Sequence, residues 1–302
     1  MYLIFSTFKS FSSVTLKKGT GELGRMSHLE QFHYKLTGPE QGRTWVFLHG
    51  LMGYSNNWAS VIRAIDSTER CLVYDQRGHG QSFKPRQGYS SEDYANDLKN
   101  IIDELGFKKI ILVGHSMGGR NALCFASAYP ERVDKLIIED IGPEGDPNNY
   151  LYYENMLGSI PTPFAGRKQA QEFFERQFSQ VFRVKEDPKV LAGFLIANLK
   201  ENEVGLLDWR FSSKAMIESV RQGRSKDSWE LVKKLNVPTL WIRGENSTEL
   251  SSETFQRILS TNPIIQGVII PKAGHWVHSE NKEGFVAAMK SFTGFDIKQG
   301  AQ

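Results

Sequence analysis

The strongest chemical signal in the sequence is the pentapeptide G-H-S-M-G at residues 114–118, which matches the pattern G-x-S-x-G. An apolar run over 110–113 precedes it, and a helix-like stretch reaching Tyr129 follows it. This strand–turn–helix setting is what a nucleophile elbow requires, because the serine must stand on a sharp turn that exposes its hydroxyl. Ser116 is therefore the candidate nucleophile of a covalent reaction.

A serine hydroxyl is a weak nucleophile and needs a general base, and His275 is the best placed of the seven histidines. It follows the apolar run 267–270 and lies downstream of Ser116, which is the chain order expected for such a triad. The other histidines precede the core, stand in glycine-containing loops or adjoin the serine. His278, three residues further on, would be the base only if the position of the loop along the sequence were misassigned.

Two positions could supply the acid that orients the histidine. One is Asp140, at the end of the apolar run 133–139. The other is the turn R-G-E-N-S-T-E after a later apolar run, where many serine hydrolases have an aspartate three places past the glycine. Here that place is Ser247. We therefore expect Asp140 to be the acid, with Glu245 or Glu249 as the alternatives.

An acyl-transfer reaction also needs backbone donors for the oxyanion that develops in the transition state. The N–H of Met117, the residue after the nucleophile, is one candidate. The second should come from the loop after an early strand, and L-H-G-L-M-G at 48–53 offers the N–H of Leu51. The alternative interpretation is that His49-Gly50 simply forms a tight turn.

The sequence indicates neither a cofactor nor a metal site. It contains no C-x-x-C and no H-x-x-x-H, two spacings that would suggest metal ligands. The glycine-containing loop D-Q-R-G-H-G-Q-S over 75–82 is not G-x-G-x-x-G, and no helix follows it directly. We interpret it as a scaffold loop beside the elbow, and we expect chemistry without a cofactor or a metal ion.

The elements that must position these residues alternate between apolar runs and helix-like stretches. Six apolar runs are candidate strands: 44–48, 71–74, 110–113, 133–139, 239–242 and 267–270. Apolar residues recur at helical spacing over 91–105, 121–129 and 285–292. Such a pattern predicts an α/β fold with a mostly parallel central sheet and helices on both faces. Active residues are then expected at the carboxyl ends of the strands.

One long stretch interrupts this alternation. Between 142 and about 234 we find no convincing strand, and the pattern is helical over 167–182, 187–199 and 212–223. An all-helical insertion between two strands predicts a cap over the strand ends. The predicted organisation is a flexible N-terminal extension over 1–28, a first core part over 29–142, the helical cap over 143–230 and a second core part over 231–302.

Composition and charge limit the partners. The chain of 302 residues is 40% hydrophobic and 24% charged, which is ordinary for a globular protein. Residues 1–25 hold four basic residues and one acidic residue, and the remainder holds 33 of each sign. We therefore expect no nucleic-acid partner. No apolar run approaches the ~20 residues of a membrane-spanning helix, so no integral membrane segment is expected.

The two cysteines bear on the compartment. Cys71 and Cys124 both stand among apolar residues, so we expect buried free thiols, which fit a reducing compartment. This usage predicts a cytoplasmic protein. The stretch 1–25 is rich in serine, threonine and lysine, and it leaves organellar targeting open, beside a flexible tail or a start at Met26.

The motifs H-G-L-M-G, D-Q-R-G-H-G-Q-S, G-H-S-M-G-G and A-G-H-W-V-H resemble those of the α/β-hydrolase superfamily over residues 29–295. The aspartate of I-I-E-D-I-G-P and the turn R-G-E-N-S are similar to the small-esterase branch related to α/β-hydrolase domain-containing protein 11 and its bacterial relatives. In that branch the acid follows the earlier strand, which agrees with Asp140. The resemblance implies hydrolysis of carboxylic esters, with thioesters and lipid esters as further candidates, and a small-molecule substrate with an apolar acyl group.

Other functions share this fold. Haloalkane dehalogenases and epoxide hydrolases use an aspartate nucleophile, and Ser116 argues against both. Cofactor-free haloperoxidases and carbon–carbon bond hydrolases keep the Ser-Asp-His set and remain alternatives. A non-catalytic ligand-binding protein is the less favoured one. The sequence thus predicts a serine hydrolase that cleaves carboxylic esters through an acyl-enzyme on Ser116.

Overall fold

The apolar runs of the sequence form the strands of a central sheet. The computed structural model describes residues 27–65, 68–183 and 187–295. The strands in this part of the chain are β1 (Tyr34–Thr37), β2 (Thr44–Leu48), β3 (Arg70–Tyr74), β4 (Ile110–His115), β5 (Val133–Glu139), β6 (Leu199–Glu201), β7 (Leu207–Trp209), β8 (Thr239–Gly244) and β9 (Ile265–Ile270). All six predicted strands are present, and β1, β6 and β7 were not predicted.

Seven of the strands form one sheet in the order β1-β3-β2-β4-β5-β8-β9. Strand β1 pairs antiparallel with β3, whereas the other neighbours pair in parallel. Strands β3 and β4 lie on opposite sides of β2, so the direction of strand addition reverses there. The carboxyl ends of β2 and β4 therefore form the kind of crevice in which α/β proteins bind their ligands.

Helices cover both faces of the sheet. They are α1 (Ala59–Ala64), α2 (Ser91–Glu104), α3 (Met117–Ala128), α4 (Asn149–Gly158), α5 (Arg167–Arg176), α6 (Phe178–Val181), α7 (Pro188–Ala197), α8 (Ser213–Gly223), α9 (Trp229–Lys234), α10 (Ser252–Thr261), α11 (Val277–Glu280) and α12 (Lys282–Thr293). Leu112 of β4 belongs to the apolar cluster that α2, α3, α9 and α10 cover, and the next residue, Val113, belongs to the cluster under α1 and α12. This alternation confirms the predicted α/β fold with a mostly parallel sheet.

A long segment is inserted between β5 and α9. Its ends meet, because the N–H of Ser228 donates to the carbonyl oxygen of Pro143 at 2.7 Å. Its side chains form a third apolar cluster, which also includes Leu51 and Trp276 from loops of the core. The prediction of a segment without strands is wrong, because β6 and β7 pair antiparallel. Strands of three residues are too short to give a periodic signal in the sequence.

The remaining predictions concern the termini and the cysteines. The predicted extension over 1–28 lies outside the described residues, apart from its last two. The core parts predicted over 29–142 and 231–302 contribute strands to the same sheet. Cys71 and Cys124 are both buried, as expected, while the cytoplasmic location stays a prediction. Within the described ranges, no helix has the length and apolar character needed to cross a membrane.

Candidate active site

The turn between β4 and α3 holds Ser116. Strand β4 ends at His115 and α3 begins at Met117, so Ser116 alone makes the turn, with φ 53° and ψ −119°. This backbone conformation is strained for a residue that has a Cβ atom. A Cβ at Gly118 would lie 2.5 Å from the carbonyl oxygen of Leu48, so glycine is required for the close approach of α3 to β2. The geometry is that of a sharp strand-to-helix elbow.

Asp140 and His275 meet at the same edge of the sheet. Asp140 directly follows β5, and His275 stands in the loop between β9 and α11. The Nδ1 atom of His275 donates to Oδ2 of Asp140 at 2.9 Å, and the N–H of Gly244 donates to Oδ1 at 2.8 Å. Asp140 is fully buried. Because the carboxylate fixes the imidazole proton on Nδ1, the lone pair of His275 is on Nε2.

The turn after β8 contributes a hydrogen bond to this carboxylate rather than the acid itself. The Oγ atom of Ser247 donates to Oδ2 of Asp140 at 2.5 Å. Of the two alternative acids, Glu245 accepts the N–H of Lys272 at 2.9 Å, and Glu249 pairs with Arg224 at 3.2 Å. The structure thus places Asp140 at the histidine, and Ser247 stands next to it.

Two cavities meet at Ser116. The first cavity has a volume of about 420 Å³, and its wall includes Met117 and Ile141. The second cavity has a volume of about 390 Å³, and its wall includes His275 and apolar side chains. Leu51 and Ser116 belong to both walls. Ser116 is half-buried, so a ligand in either cavity could reach it.

Two backbone N–H groups are available beside the serine. Met117 is the first residue of α3, where a helix leaves its N–H groups without intrahelical acceptors. Leu51 stands in the loop after β2. In the part of the chain that the structure describes, neither the Leu51 nor the Met117 N–H donates to an acceptor. Both could therefore donate to an anionic oxygen bound near Ser116.

A second histidine–carboxylate pair lies close to the first, and the ring of His115 contacts both histidines. Glu139, the last residue of β5, accepts from Nδ1 of His278 at 2.9 Å and from its backbone N–H at 2.8 Å. Glu139 and Asp140 are adjacent in sequence, and each binds a different histidine. This second pair was not predicted from the sequence. Successive side chains of a strand point to opposite faces, which was the available signal that Glu139 and Asp140 have different partners.

His115 links the elbow to the histidine loop. Its Nε2 atom donates to the carbonyl oxygen of His275 at 2.9 Å. Burial, together with the nearby His275 and His278, lowers the pKa of His115 well below its usual value, so the ring is neutral near pH 7. Ligand atoms of His115, Glu139 and His278 lie within 4.8 Å of one another. These groups are already hydrogen-bonded, and a metal ion at this point would have to displace those bonds.

The loop over 75–82 connects the elements around the elbow. The side chain of Gln76 donates to the carbonyl oxygen of His49 at 2.7 Å and accepts from Asn121 of α3 at 3.0 Å. The carboxylate of Asp75 accepts the N–H groups of Ser55 at 2.8 Å and of Gln81 at 2.9 Å. These bonds agree with the interpretation of this segment as a scaffold loop.

The sheet order, the strained serine turn and the Asp–His pair at the strand ends are together typical of α/β hydrolases. The family model for the alpha/beta hydrolase fold matches residues 45–282. This range contains every site residue described above. The chain belongs to the α/β-hydrolase fold family.

The similar proteins include esterases and lipases. The chain is 32% identical over 255 residues to the sn-1-specific diacylglycerol lipase ABHD11 of Mus musculus. This match covers 82% of this chain and 80% of that protein. It is 29% identical to a putative esterase/lipase of Haemophilus influenzae over 82% of each chain. A solved structure of a marine microorganism esterase has 28% identity and a TM-score of 0.73, and the match covers 87% of this chain and 99% of that one. These relatives support hydrolase activity on esters.

Proposed function

We propose that this protein is a serine hydrolase that cleaves carboxylic esters through an acyl-enzyme on Ser116. The observation that carries the proposal is the strained turn at Ser116, which has φ 53°. His275, the hydrogen-bond partner of Asp140, lines the same cavity as Ser116. A nucleophile, a base and an orienting acid are the three groups that acyl transfer by a serine requires. Three different elements bring them to one edge of the sheet.

In the proposed mechanism, Nε2 of His275 takes the hydroxyl proton as Oγ of Ser116 attacks the ester carbonyl carbon. Asp140 keeps the proton on Nδ1 and stabilises the imidazolium that forms. When the tetrahedral intermediate collapses, His275 returns the proton to the alcohol oxygen and the C–O bond breaks. Water then attacks the acyl-enzyme by the same proton path, which releases the carboxylic acid and the free serine.

The N–H groups of Leu51 and Met117 would stabilise the oxyanion of each tetrahedral intermediate. They need no rearrangement, because they have no acceptor within the described ranges. Donors that are already in place act most strongly at the point where negative charge develops. Loss of a single such donor typically costs about 10²–10³ in kcat.

The two cavities suggest how the ester is oriented. The leaving alcohol must lie within reach of His275, so we place it in the second cavity, whose wall includes Phe194 and Trp276. The acyl group then occupies the first cavity, beside the Met117 N–H. Leu51, Ile141 and Val220 of this wall fit an acyl chain that is apolar near the carbonyl. The inserted segment, over about 143–230, would act as the cap that closes both cavities.

A serine-directed fluorophosphonate tests the proposal. The probe should label the protein once, at Ser116, and Ser116→Ala should abolish both the label and the turnover of aryl esters. Ser127→Ala is the matched control, because it removes a hydroxyl from α3, the helix that follows Ser116. Labelling that survives in Ser116→Ala would overturn the assignment of the nucleophile.

The alternatives are separated by substrate. A carbon–carbon bond hydrolase would turn over a vinylogous diketone faster than any ester. A haloperoxidase would require peroxide and halide. A ligand-binding protein would bind without turnover, and fluorophosphonate would then label it slowly or not at all. A comparison of these assays with an aryl-ester series distinguishes the four functions.

A further inference from the structure

Two arginine side chains line the first cavity, which also contains Ser116. Arg120 lies in the first turn of α3, and its backbone N–H donates to the carbonyl oxygen of Ser116 at 3.2 Å. Arg224 follows the last residue of α8, in the inserted segment. Arg120 is 6% exposed, and the side chain of Arg224 is 17% exposed. Two guanidinium groups in such a place are unfavourable unless anions or other acceptors face them.

The acceptors within the described ranges do not use all the donors of the two arginines. Arg120 donates to the carbonyl oxygen of Gly223 at 3.2 Å and to that of Glu144. Arg224 pairs with the carboxylate of Glu249 at 3.2 Å and donates to the side-chain oxygen of Asn149 at 3.3 Å. The Nε atoms of both arginines are buried, and among the described residues neither has a hydrogen-bond partner. Backbone carbonyls bind Arg120 but do not neutralise its charge.

The carboxylates around the arginines lie outside the cavity. No acidic side chain is among the described residues of the cavity wall. Glu249 binds Arg224, whereas the carboxylates of Glu144 and Asp227 accept hydrogen bonds from other neighbours. Burial, and then the adjacent Arg224, lower the pKa of Arg120 to about 9. Among the residues that the structure describes, no carboxylate forms an ion pair with Arg120.

A carboxylate is the group that this arrangement fits, because guanidinium groups bind carboxylates through paired, charge-assisted hydrogen bonds. We infer that the acyl chain of the substrate ends in a carboxylate, which Arg120 and Arg224 bind in the first cavity. This inference rests on the proposed function and narrows it to monoesters of dicarboxylic acids. The apolar wall near Ser116 contacts the methylene groups, and the arginines select the far end of the chain.

The test compares two esters of equal length. Mono-p-nitrophenyl glutarate and p-nitrophenyl pentanoate each have five acyl carbons, and they differ in the terminal carboxylate. We expect kcat/KM to be about 10- to 100-fold higher for the glutarate ester, since hydrogen bonds to charged groups have about this effect. Free glutarate should inhibit hydrolysis of the pentanoate ester competitively. Succinate and adipate monoesters would then define the preferred chain length.

Variants show whether the arginines cause the preference. Arg120→Met and Arg224→Met should each lower the ratio of the two kcat/KM values at least tenfold, mainly through KM of the glutarate ester. Arg221→Met is the matched control. Arg221 lies near the end of α8, just before Arg224, but it pairs with Glu218 and does not line the cavity. Its ratio should stay within twofold of wild type. If Arg120→Met does not fold, Arg224→Met and the glutarate competition still decide the question.

The two proposals fail in different ways. Equal turnover of both esters by the wild-type protein, without inhibition by glutarate, would overturn the carboxylate site and leave the ester hydrolase intact. Absence of ester turnover and of labelling at Ser116 would overturn the proposed function. In that case calorimetric titration of the full chain with glutarate still measures the arginine site, and absence of binding would overturn it as well.

Discussion

At Asp140, a single carboxylate oxygen accepts two hydrogen bonds. Oδ2 lies 2.9 Å from Nδ1 of His275 and 2.5 Å from Oγ of Ser247. The Ser247 hydroxyl therefore lies beside this carboxylate, in the space that the side chain of an aspartate at position 247 would use. The sequence favoured Asp140 for this reason, since Ser247 stands where the later turn would otherwise carry the acid.

Asp140→Asn should lower kcat by about 10²–10⁴, because an amide keeps the shape but can stabilise the wrong histidine tautomer. Folding and labelling at Ser116 should be partly retained. Glu245→Gln is the control and should lose less than about tenfold, because Glu245 accepts the backbone N–H of Lys272. The measurement is kcat on one aryl ester for both variants. A normal Asp140→Asn together with an inactive Glu245→Gln would show that the acid comes from the later turn.

The short distance between Ser247 and Asp140 leads to a second prediction. In the double variant Asp140→Asn, Ser247→Asp, the new carboxylate begins next to the site of the lost one. We expect it to recover at least tenfold of the kcat lost in Asp140→Asn, since Asn tolerates the φ of 51° at position 140. Equal activities of the single and double variants would contradict this expectation. Ser247→Asp alone should be less active than wild type, because two adjacent carboxylates repel each other.

At the residue scale, local patterns predicted the serine, the histidine and the aspartate, but not the arginine pair. Ser116 stands in a motif, and Asp140 and His275 follow apolar strands. Arg120 and Arg224 have no such pattern, because only the packing of the inserted segment on the core brings them into one cavity. Contacts between distant positions leave no periodic signal in a single sequence.

The elbow between β4 and α3 stores backbone strain at Ser116. Ser116→Gly and Ser116→Ala both remove the hydroxyl, but only glycine also removes the Cβ atom that is strained at φ 53°. Relief of about 1–3 kcal/mol of strain exceeds the extra chain entropy of glycine, about 0.4–1 kcal/mol. The free energy of unfolding in urea should therefore be about 1 kcal/mol higher for Ser116→Gly than for Ser116→Ala. A lower value for the glycine variant would show that the turn is not strained.

Helix α7 contributes Phe194 to the second cavity, where its ring lies 5.2 Å from that of Trp276. Phe194→Ala should enlarge the space for the alcohol. The ratio of kcat/KM for butyl over methyl esters of one acid should then rise several-fold, because each buried methylene contributes about 0.8 kcal/mol. Tyr150→Ala, in the same inserted segment but outside both cavity walls, should leave the ratio unchanged. An unchanged ratio in Phe194→Ala would show that the alcohol does not lie against this part of the second cavity.

Among the elements, the buried parallel strands were the most predictable. Strand β4 is covered on both faces, so its residues read as one apolar run. Strand β1 was missed because it lies at the edge of the sheet and includes an exposed Lys35 between half-buried residues. Strands β6 and β7 pair only with each other and are three residues long. Their pairing is set by tertiary packing rather than by a sequence pattern.

For the molecule as a whole, three buried histidines connect folding to pH. Burial lowers the pKa of His49, and it lowers those of His79 and His115 well below the usual value. The unfolded chain therefore binds more protons than the folded protein at pH values below about 6.5. Stability from these groups is present above that pH and is lost as the pH falls below it.

We expect the free energy of unfolding to decrease between pH 6.5 and 5 by up to about 1.4 kcal/mol per pH unit for each of these histidines. Urea denaturation at several pH values measures this slope. His79→Gln should reduce the slope of the free energy of unfolding against pH by up to about 1.4 kcal/mol per pH unit, because one titrating group is removed. The variant also loses the hydrogen bond of His79 to the Arg77 carbonyl. A wild-type stability that is constant over this range would contradict the prediction.

The hydrogen bond between Pro143 and Ser228 has a consequence for how such enzymes diverge. The inserted segment leaves and re-enters the core at one point, so with respect to the sheet it is a single closed loop. The entropic cost of closing a loop grows by only about 0.6 kcal/mol for each doubling of its length. A lineage can therefore exchange this segment for a shorter or longer one while the sheet still folds. Both cavity walls would change together, through recombination of one contiguous stretch of the gene, and the reacting groups would stay in place.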